Sequence, residues 1–321
     1  MKKLFTLLAL AFAFSMNAQM SDNSSGTSAT GIFSVAMGWN TLASGNWGST
    51  AMGEGGIASG SASTAMGRNT TASGHYSTAM GRNTTASGNY ATAMGYYTEA
   101  SGGYGATAMG TSTTASGTSS TVMGDSTTAS GDASTAMGRG TIASDYASLV
   151  IGQYNDSGSS VTSDATAFST SNTAFVIGNG TPGSESDAFK VMFSGDATVS
   201  NDLTVSGDVN VSSDARLKSN IVSLGPTLSK LLLIDGKSYT MNKDGEEKIG
   251  VLAQDIQKVF PKLVGTDDND MLTVNYQGLV PVLINALKEQ ELKINLYDRK
   301  IADQQKEIDE LKELFNKILK K

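Results

Sequence analysis

The chain has 321 residues, no cysteine, one histidine and a net charge of −7 at pH 7. The lack of cysteine excludes a disulfide framework, lipid attachment to a thiol and Cys-His catalysis. Residues 20–212 carry 4 basic and 13 acidic side chains, whereas residues 213–321 carry 17 of each. Neither part has a basic patch, which argues against nucleic acid as a partner. The charge composition of the chain changes near residue 212.

Residues 1–18 have the pattern of a secretory signal peptide. Two lysines precede an apolar run over residues 4–14, and small residues follow. We expect cleavage after Ala18 and an N-terminal extension over residues 19–30. The apolar run is too short to span a bilayer, and no later segment approaches the ~20 apolar residues required. The sequence therefore predicts a secreted or cell-surface protein without membrane insertion.

Residues 31–152 consist of a repeated unit of about fourteen residues. Ala-Met-Gly begins at residues 36, 51, 65, 79, 93, 108 and 136, and Ala-Ser-Gly begins at residues 43, 58, 72, 86, 100, 115 and 129. A heptad spacing could suggest a coiled coil, but regular glycine destabilises helix and no large apolar seam is present. The alternation of small and larger residues instead predicts two short strands per unit, with about eight coils stacked roughly 4.8 Å apart.

Enrichment in Ser, Thr and Gly is also typical of disordered low-complexity tracts, but the strict phase favours an ordered solenoid. The repeats resemble the head of the trimeric autotransporter adhesins, although methionine here replaces the usual branched aliphatic residue. The resemblance implies a left-handed β-roll, three chains packed side by side, and a cell-surface, glycan or matrix ligand. Aromatic residues near the turns could form a ligand-binding stripe, although scattered exposed aromatics are common: Trp39, Trp47, Tyr76, Tyr90, Tyr96, Tyr97 and Tyr104.

Residues 153–212 are predicted to form a connector and a β-rich neck. The connector, residues 153–174, is Ser-rich and irregular. Four strand-like runs bounded by Gly, Asp or Asn follow, at residues 188–193, 197–199, 203–205 and 209–211. Their alternation is too short to decide whether they pair within one chain or between chains.

A hydroxyl and an amine lie five residues apart at Ser213 and Lys218. A serine hydroxyl needs a neighbouring base, and an amine can serve once burial or nearby charge lowers its pKa. A Ser-His-Asp triad would have to recruit His75, which lies in a predicted solvent-facing turn of the repeats. By spacing alone, however, residues 213–218 are more typical of a turn or a helix cap.

Three motifs in order, of which this segment is the first, favour membership of a known family over a simple turn or cap. They are SDARLKSNI at 213–221, GVLAQDIQKVFPKLV at 250–264, and VNY at 274–276 before a helical pattern. This segment resembles the peptidase S74 family, the intramolecular chaperone domains at the ends of phage tail spikes and tail fibres. The resemblance implies that residues 213–286 form an α+β domain that trimerises, guides the preceding β-rich region into register and then cuts itself off.

By this resemblance, the scissile bond joins Ser212 to Ser213, with Ser213 as the nucleophile and Lys218 as the general base. Such a cut needs one turnover and no pocket for external substrates. Cleavage would leave a mature fibre of residues 19–212.

Three further residues match the S74 motifs. Asp214 and Arg216 lie between the nucleophile and the base, and Gln254 is a weaker candidate for lining the site. One hypothesis is that Asp214 orients Lys218, although a carboxylate beside the amine would favour its protonated form and oppose base function.

Residues 287–321 are predicted to form a coiled coil. Apolar residues recur every seven positions at Leu287, Ile294, Ile301, Ile308 and Phe315, and a second set lies at Leu283, Gln290, Tyr297, Gln304, Leu311 and Ile318. The two glutamines cost stability but can fix the register. Ile at a with Leu at d favours a coiled coil of two helices, so it is the resemblances, not the seam, that imply a trimer. Before Gln290, an amphipathic helix packed on its own domain is an alternative.

No cofactor or metal is predicted. The acidic run at 267–270 lacks the glycine and distal glutamate of a calcium loop and fits a solvated turn. The sequence thus predicts an exported, fibrous homotrimer, mainly β over its N-terminal two thirds, with a self-cleaving chaperone domain. The alternatives are an uncleaved adhesin-like surface protein that residues 213–321 merely trimerise and, more remotely, a conventional secreted hydrolase.

Overall fold

The computed structural model describes residues 20–21, 26–156, 164–267 and 270–319. The predicted signal peptide, residues 1–18, lies outside the described residues. The chain divides into two compact units, the first ending at Asp208 and the second beginning at Val209.

The first unit contains a β-solenoid of about 9 turns over residues 28–153. Its long strands are Val35–Trp39, Thr50–Glu54, Thr64–Arg68, Thr78–Arg82, Thr92–Tyr96, Thr107–Thr111, Thr121–Asp125, Thr135–Arg139 and Leu149–Gln153. Its short strands are Ser28–Ala29, Leu42–Ala43, Ile57–Ala58, Thr71–Ala72, Thr85–Ala86, Glu99–Ala100, Thr114–Ala115, Thr128–Ala129 and Ile142–Ala143. This confirms the predicted unit of two strands, with about one coil more than expected.

Each long strand pairs in parallel with the long strand of the next coil, in the same register. Ala65 lies opposite Ala79, Met66 opposite Met80, and Gly67 opposite Gly81. Identical residues therefore form columns along the solenoid. The long strands belong to a sheet of 13 strands that begins with Met20–Ser21, and the short strands form a sheet of 9.

The solenoid interior is filled by very small side chains. Two residues before most repeat glycines stands an alanine, such as Ala79 or Ala86, that is fully buried. Glycine is required beside them by close backbone approach. A Cβ on Gly81, which has φ +123°, would lie 2.0 Å from the carbonyl oxygen of Gly95, and a Cβ on Gly74 would lie 1.9 Å from that of Gly88. The regular glycine that argued against helix thus serves coil-to-coil contact.

The solenoid ends in three further strands. Thr173–Asn179 pairs in parallel with Leu149–Gln153, and the antiparallel strands Asp187–Met192 and Ala197–Val199 follow. Asp145, which replaces the repeat glycine at this end, is buried and accepts a hydrogen bond from the Thr173 backbone N at 2.8 Å.

The neck prediction is correct in part. Two of the four expected runs are the strands Asp187–Met192 and Ala197–Val199. The runs at 203–205 and 209–211 are not strands in the chain, because the sheet ends at Ala197–Val199 and offers them no hydrogen-bonding partner. Their apolar side chains are exposed, with Leu203 at 72% and Val211 at 65%.

The second unit combines short elements with one long helix. Its hairpins pair Lys237–Thr240 with Glu247–Gly250 and Val264–Thr266 with Leu272–Val274. Its α-helices are Leu228–Leu231, Ala253–Val259 and Leu279–Leu319, and its 3-10 turns are Ala215–Leu217 and Pro261–Leu263. No helix in the described part of the chain is long and apolar enough to cross a membrane.

The long helix holds the short helix Leu228–Leu231 through one carboxylate. Glu289 accepts hydrogen bonds from the backbone N of Thr227 and, at 3.2 Å, from that of Leu228, and these bonds lower the pKa of Glu289. Thr227 Oγ1 also donates to the Val282 carbonyl at 3.1 Å. The early part of the long helix thus packs on its own domain, as the alternative interpretation of the seam before Gln290 proposed.

Candidate functional site

A single 3-10 turn, Ala215–Leu217, shapes the candidate site. Asp214 caps this turn, because its Oδ1 accepts a hydrogen bond from the Arg216 backbone N at 2.8 Å. At the other end, the Lys218 backbone N donates to the Ala215 carbonyl at 3.1 Å. The turn reverses the chain and returns Lys218 toward Ser213.

The predicted nucleophile and base are in contact. Lys218 Nζ lies 2.6 Å from Ser213 Oγ, with the ammonium donating to the hydroxyl. An unprotonated amine in the same place would accept the hydroxyl proton, as general-base catalysis requires. Residues 212–218 are all exposed in the single chain.

Asp214 faces Arg216 rather than Lys218. The Arg216 guanidinium donates to both carboxylate oxygens, with Nη2–Oδ2 at 2.7 Å and Nε–Oδ1 at 3.0 Å. This bidentate contact lowers the pKa of Asp214 and raises that of Arg216. The carboxylate is thereby occupied, and the geometry gives no support to the hypothesis that Asp214 orients Lys218.

Gln254 and His75 are the other candidate residues. Gln254 is exposed on the helix Ala253–Val259, and the described hydrogen bonds do not connect it to Ser213 or Lys218. His75 is exposed on a solenoid turn, where its backbone N donates to Asn89 Oδ1 at 3.0 Å. The described hydrogen bonds thus join the predicted nucleophile, Ser213, to the predicted base, Lys218.

The acidic run is a hairpin connection. Asp267 Oδ1 accepts a hydrogen bond from the Met271 backbone N at 2.8 Å, and residues 268 and 269 lie outside the described residues. Within the described ranges, no group of three or more His, Cys, Asp or Glu side chains could hold a metal ion.

Aromatic residues of the predicted stripe form columns along the solenoid. Tyr76, Tyr90 and Tyr104 stack in consecutive coils, with ring centroids 5.1 Å and 6.1 Å apart, and each is more than half exposed. Tyr96 ends the strand Thr92–Tyr96 and Tyr97 follows it, and the Arg82 guanidinium lies 5.3 Å from the Tyr96 ring centroid. The fourteen-residue spacing of Tyr76, Tyr90 and Tyr104 is visible in the sequence, whereas their stacking appears only in the structure.

Comparison with protein families finds two matches. The YadA head domain repeat matches at 29–55, 58–84, 72–98, 86–113, 101–127, 115–141 and 129–155. The family described as chaperone of endosialidase, peptidase S74, matches residues 213–265 and begins at the candidate nucleophile. Comparison with curated proteins gives no match. The chain is therefore similar to YadA head domain repeats over residues 29–155 and, after them, to the chaperone-of-endosialidase, peptidase S74, family over residues 213–265.

Proposed function

We propose that the chain is an exported trimeric fibre whose C-terminal domain guides assembly and then cuts the Ser212–Ser213 bond. The two families support a trimeric adhesin or fibre with a chaperone domain. The observation that carries the cleavage is the 2.6 Å contact between Lys218 Nζ and Ser213 Oγ at the start of the S74 segment. On this proposal residues 1–18 are removed on export, and residues 19–212 are the mature fibre.

The cut begins as an acyl shift within the chain. The neutral Lys218 amine takes the proton of Ser213 Oγ, and the oxygen attacks the Ser212 carbonyl carbon. The bond to the Ser213 nitrogen then breaks as Lys218 returns the proton to that nitrogen. The resulting ester joins Ser212 to Ser213 Oγ, and water hydrolyses it to a Ser212 carboxylate and a free Ser213 hydroxyl. Each chain reacts once.

Assembly is the step that makes Lys218 a base. In the single chain the pair is exposed. Packing of neighbouring copies against residues 212–218 would remove water and favour the neutral amine. Cleavage would therefore follow trimer formation, and it would make the assembled fibre difficult to take apart.

Two surfaces support association of copies. On the outer face of the solenoid, the half-buried methionines of successive coils form one apolar column, which includes Met66, Met80 and Met94. On the long helix, the predicted seam is exposed, with Ile301 at 61% and Leu311 at 67%. A glycan, cell-surface or matrix ligand would then meet the tyrosine column, which is also exposed.

The test is the mass of the purified full chain after incubation. Two fragments that meet at Ser212/Ser213 are expected, and Ser213→Ala and Lys218→Ala should each leave one full-length chain. Ser212→Ala is the matched control, since it changes the same bond but keeps both reacting groups, and it should still be cut. A trimer that stays full length would support the alternative function, an uncleaved adhesin-like surface protein that the C-terminal domain only trimerises.

A further inference from the structure

Charged residues flank the exposed seam of the helix Leu279–Leu319 in a specific order. With Leu287 and every seventh residue after it at position a, the g positions are Lys293, Lys300, Glu307 and Leu314, and the e positions are Glu291, Asp298, Gln305, Lys312 and Leu319. All of these side chains are exposed in the single chain. Residues at e and g decide the partner and direction of coiled-coil helices.

We propose that neighbouring copies align their long helices parallel and in register, with ion pairs from Lys293 to Asp298 and from Glu307 to Lys312 between chains. In that arrangement, each g residue lies beside the e residue of the next heptad in the neighbouring helix, five positions further along. Of the two remaining g–e pairs, Leu314 meets Leu319, and Lys300 meets the uncharged Gln305, which can accept a hydrogen bond from the ammonium. The proposal rests on the association of copies put forward above and specifies its geometry.

The polar layers of the seam support the same alignment. Gln290 and Gln304 occupy d positions on the exposed face of the helix. In register, each glutamine meets the same residue of its neighbours, and an amide can both donate and accept a hydrogen bond. A shift of one heptad would instead set Gln304 against Leu311 and leave buried amides without partners.

Other alignments also bring like charges together. Shifting one helix by a heptad places Lys300 beside Lys312 of the neighbour. An antiparallel pair joins g to g and e to e, and it sets each d glutamine against an a residue such as Ile301 or Ile308. Of these arrangements, the in-register parallel one satisfies the charge pairs and both glutamine layers at once.

Lys312 has an exposed partner on its own helix, Asp309. Lys312 Nζ lies 3.3 Å from Asp309 Oδ1 in the same helix, with the two side chains 66% and 60% exposed. An exposed pair of this kind contributes little stability, so Lys312 can exchange it for Glu307 of a neighbour at small cost.

The absence of native cysteine permits a direct test by cross-linking. In the full chain carrying Ser213→Ala, the variants Gln290→Cys and Gln304→Cys should each form interchain disulfides under mild oxidation. Lys306→Cys is the control, because position f faces outward and should give little cross-linking. Assemblies of the expected mass that cross-link at neither glutamine position would overturn the alignment alone. A monomer by light scattering would overturn the proposed association as well.

Charge exchange tests the ion pairs. Lys293→Glu should raise the concentration at which half of the chains are assembled by about tenfold, because repulsion replaces attraction at every interface. The double variant Lys293→Glu with Asp298→Lys should restore most of the loss. If the double variant assembles no better than the single one, Lys293 and Asp298 do not pair.

Discussion

At the scale of single residues, one turn decides the chemistry of the candidate site. Ser213 and Lys218 are five positions apart, and the 3-10 turn between them brings Nζ within 2.6 Å of Oγ. The pair was predictable from the S74 motif. The role of Asp214 was not, because the motif does not reveal whether a carboxylate between Lys218 and Arg216 faces the amine or the guanidinium. The side-chain geometry of the cap favours Arg216.

Replacing the amine by a guanidinium separates charge from base function. We expect Lys218→Arg to assemble normally and to remain uncut, because arginine keeps the positive charge and the donors but does not lose its proton. Intact-mass measurement beside light scattering gives both results from one sample. Cleavage at the wild-type rate would show that the residue at 218 acts only as a donor.

The contact between Asp214 and Arg216 should depend on pH. Arg216 lowers the pKa of Asp214, so the contact is present above the ordinary carboxyl range near pH 4 and is lost as pH falls through the lowered value. In the Ser213→Ala chain, the NMR signal of the Arg216 Nε–H should shift below about pH 4.

The matched variant for this titration is Asp214→Asn. It keeps an oxygen that can cap the Arg216 backbone N but has no proton to gain, so the Arg216 signal should not respond in that range. An unchanged titration in Asp214→Asn would assign the shift to another group.

At the scale of elements, the solenoid was the most predictable part of the chain and the neck the least. Each coil repeats the contacts of its neighbours, so a fourteen-residue period determines both strands and their register. The strand Thr173–Asn179 was missed, although Val176-Ile177-Gly178 repeats Val150-Ile151-Gly152 after a long insertion. The runs at 203–205 and 209–211 have strand composition, but pairing depends on a partner strand that composition does not specify.

The interior column should tolerate only small residues. Ala79 is fully buried, and Val122 occupies the equivalent position three coils further along the solenoid. We expect Ala79→Val to change stability little and Ala79→Phe to destabilise the solenoid by about 1–3 kcal/mol or more, because the coils cannot separate without breaking strand pairing. Thermal unfolding followed by far-UV circular dichroism measures both. Equal unfolding midpoints for the two variants would show that the solenoid interior can accept a phenylalanine side chain, against this prediction.

At the scale of the whole molecule, the proposed function divides the chain into a β part that is ordered across copies and a C-terminal part that gathers those copies. The solenoid is built from pairings between coils and buries small side chains, whereas the second unit exposes a long apolar seam. Ordering of β structure across several chains is slow, and a domain that gathers the C-termini raises their local concentration. The order of the two domains along the chain fits that sequence of events.

Refolding tests whether residues 213–321 are needed for the preceding part of the chain to assemble. The full chain with Ser213→Ala should regain its assembled state after dilution from denaturant, whereas the cleaved fragment of residues 19–212 should not, because its assembling domain is gone. Light scattering and circular dichroism follow both samples. Equal recovery of the two would remove the chaperone role while leaving cleavage untouched.

Because successive coils pair in an identical register, coils can be added or removed without changing the fold of the solenoid. Residues 64–74 and 78–88 carry the same eleven letters, TAMGRNTTASG. A whole coil can therefore be gained or lost by recombination between such stretches, with every new neighbour equivalent to the old one. Each event would change the reach of the fibre by about 4.8 Å and leave its ends unaltered.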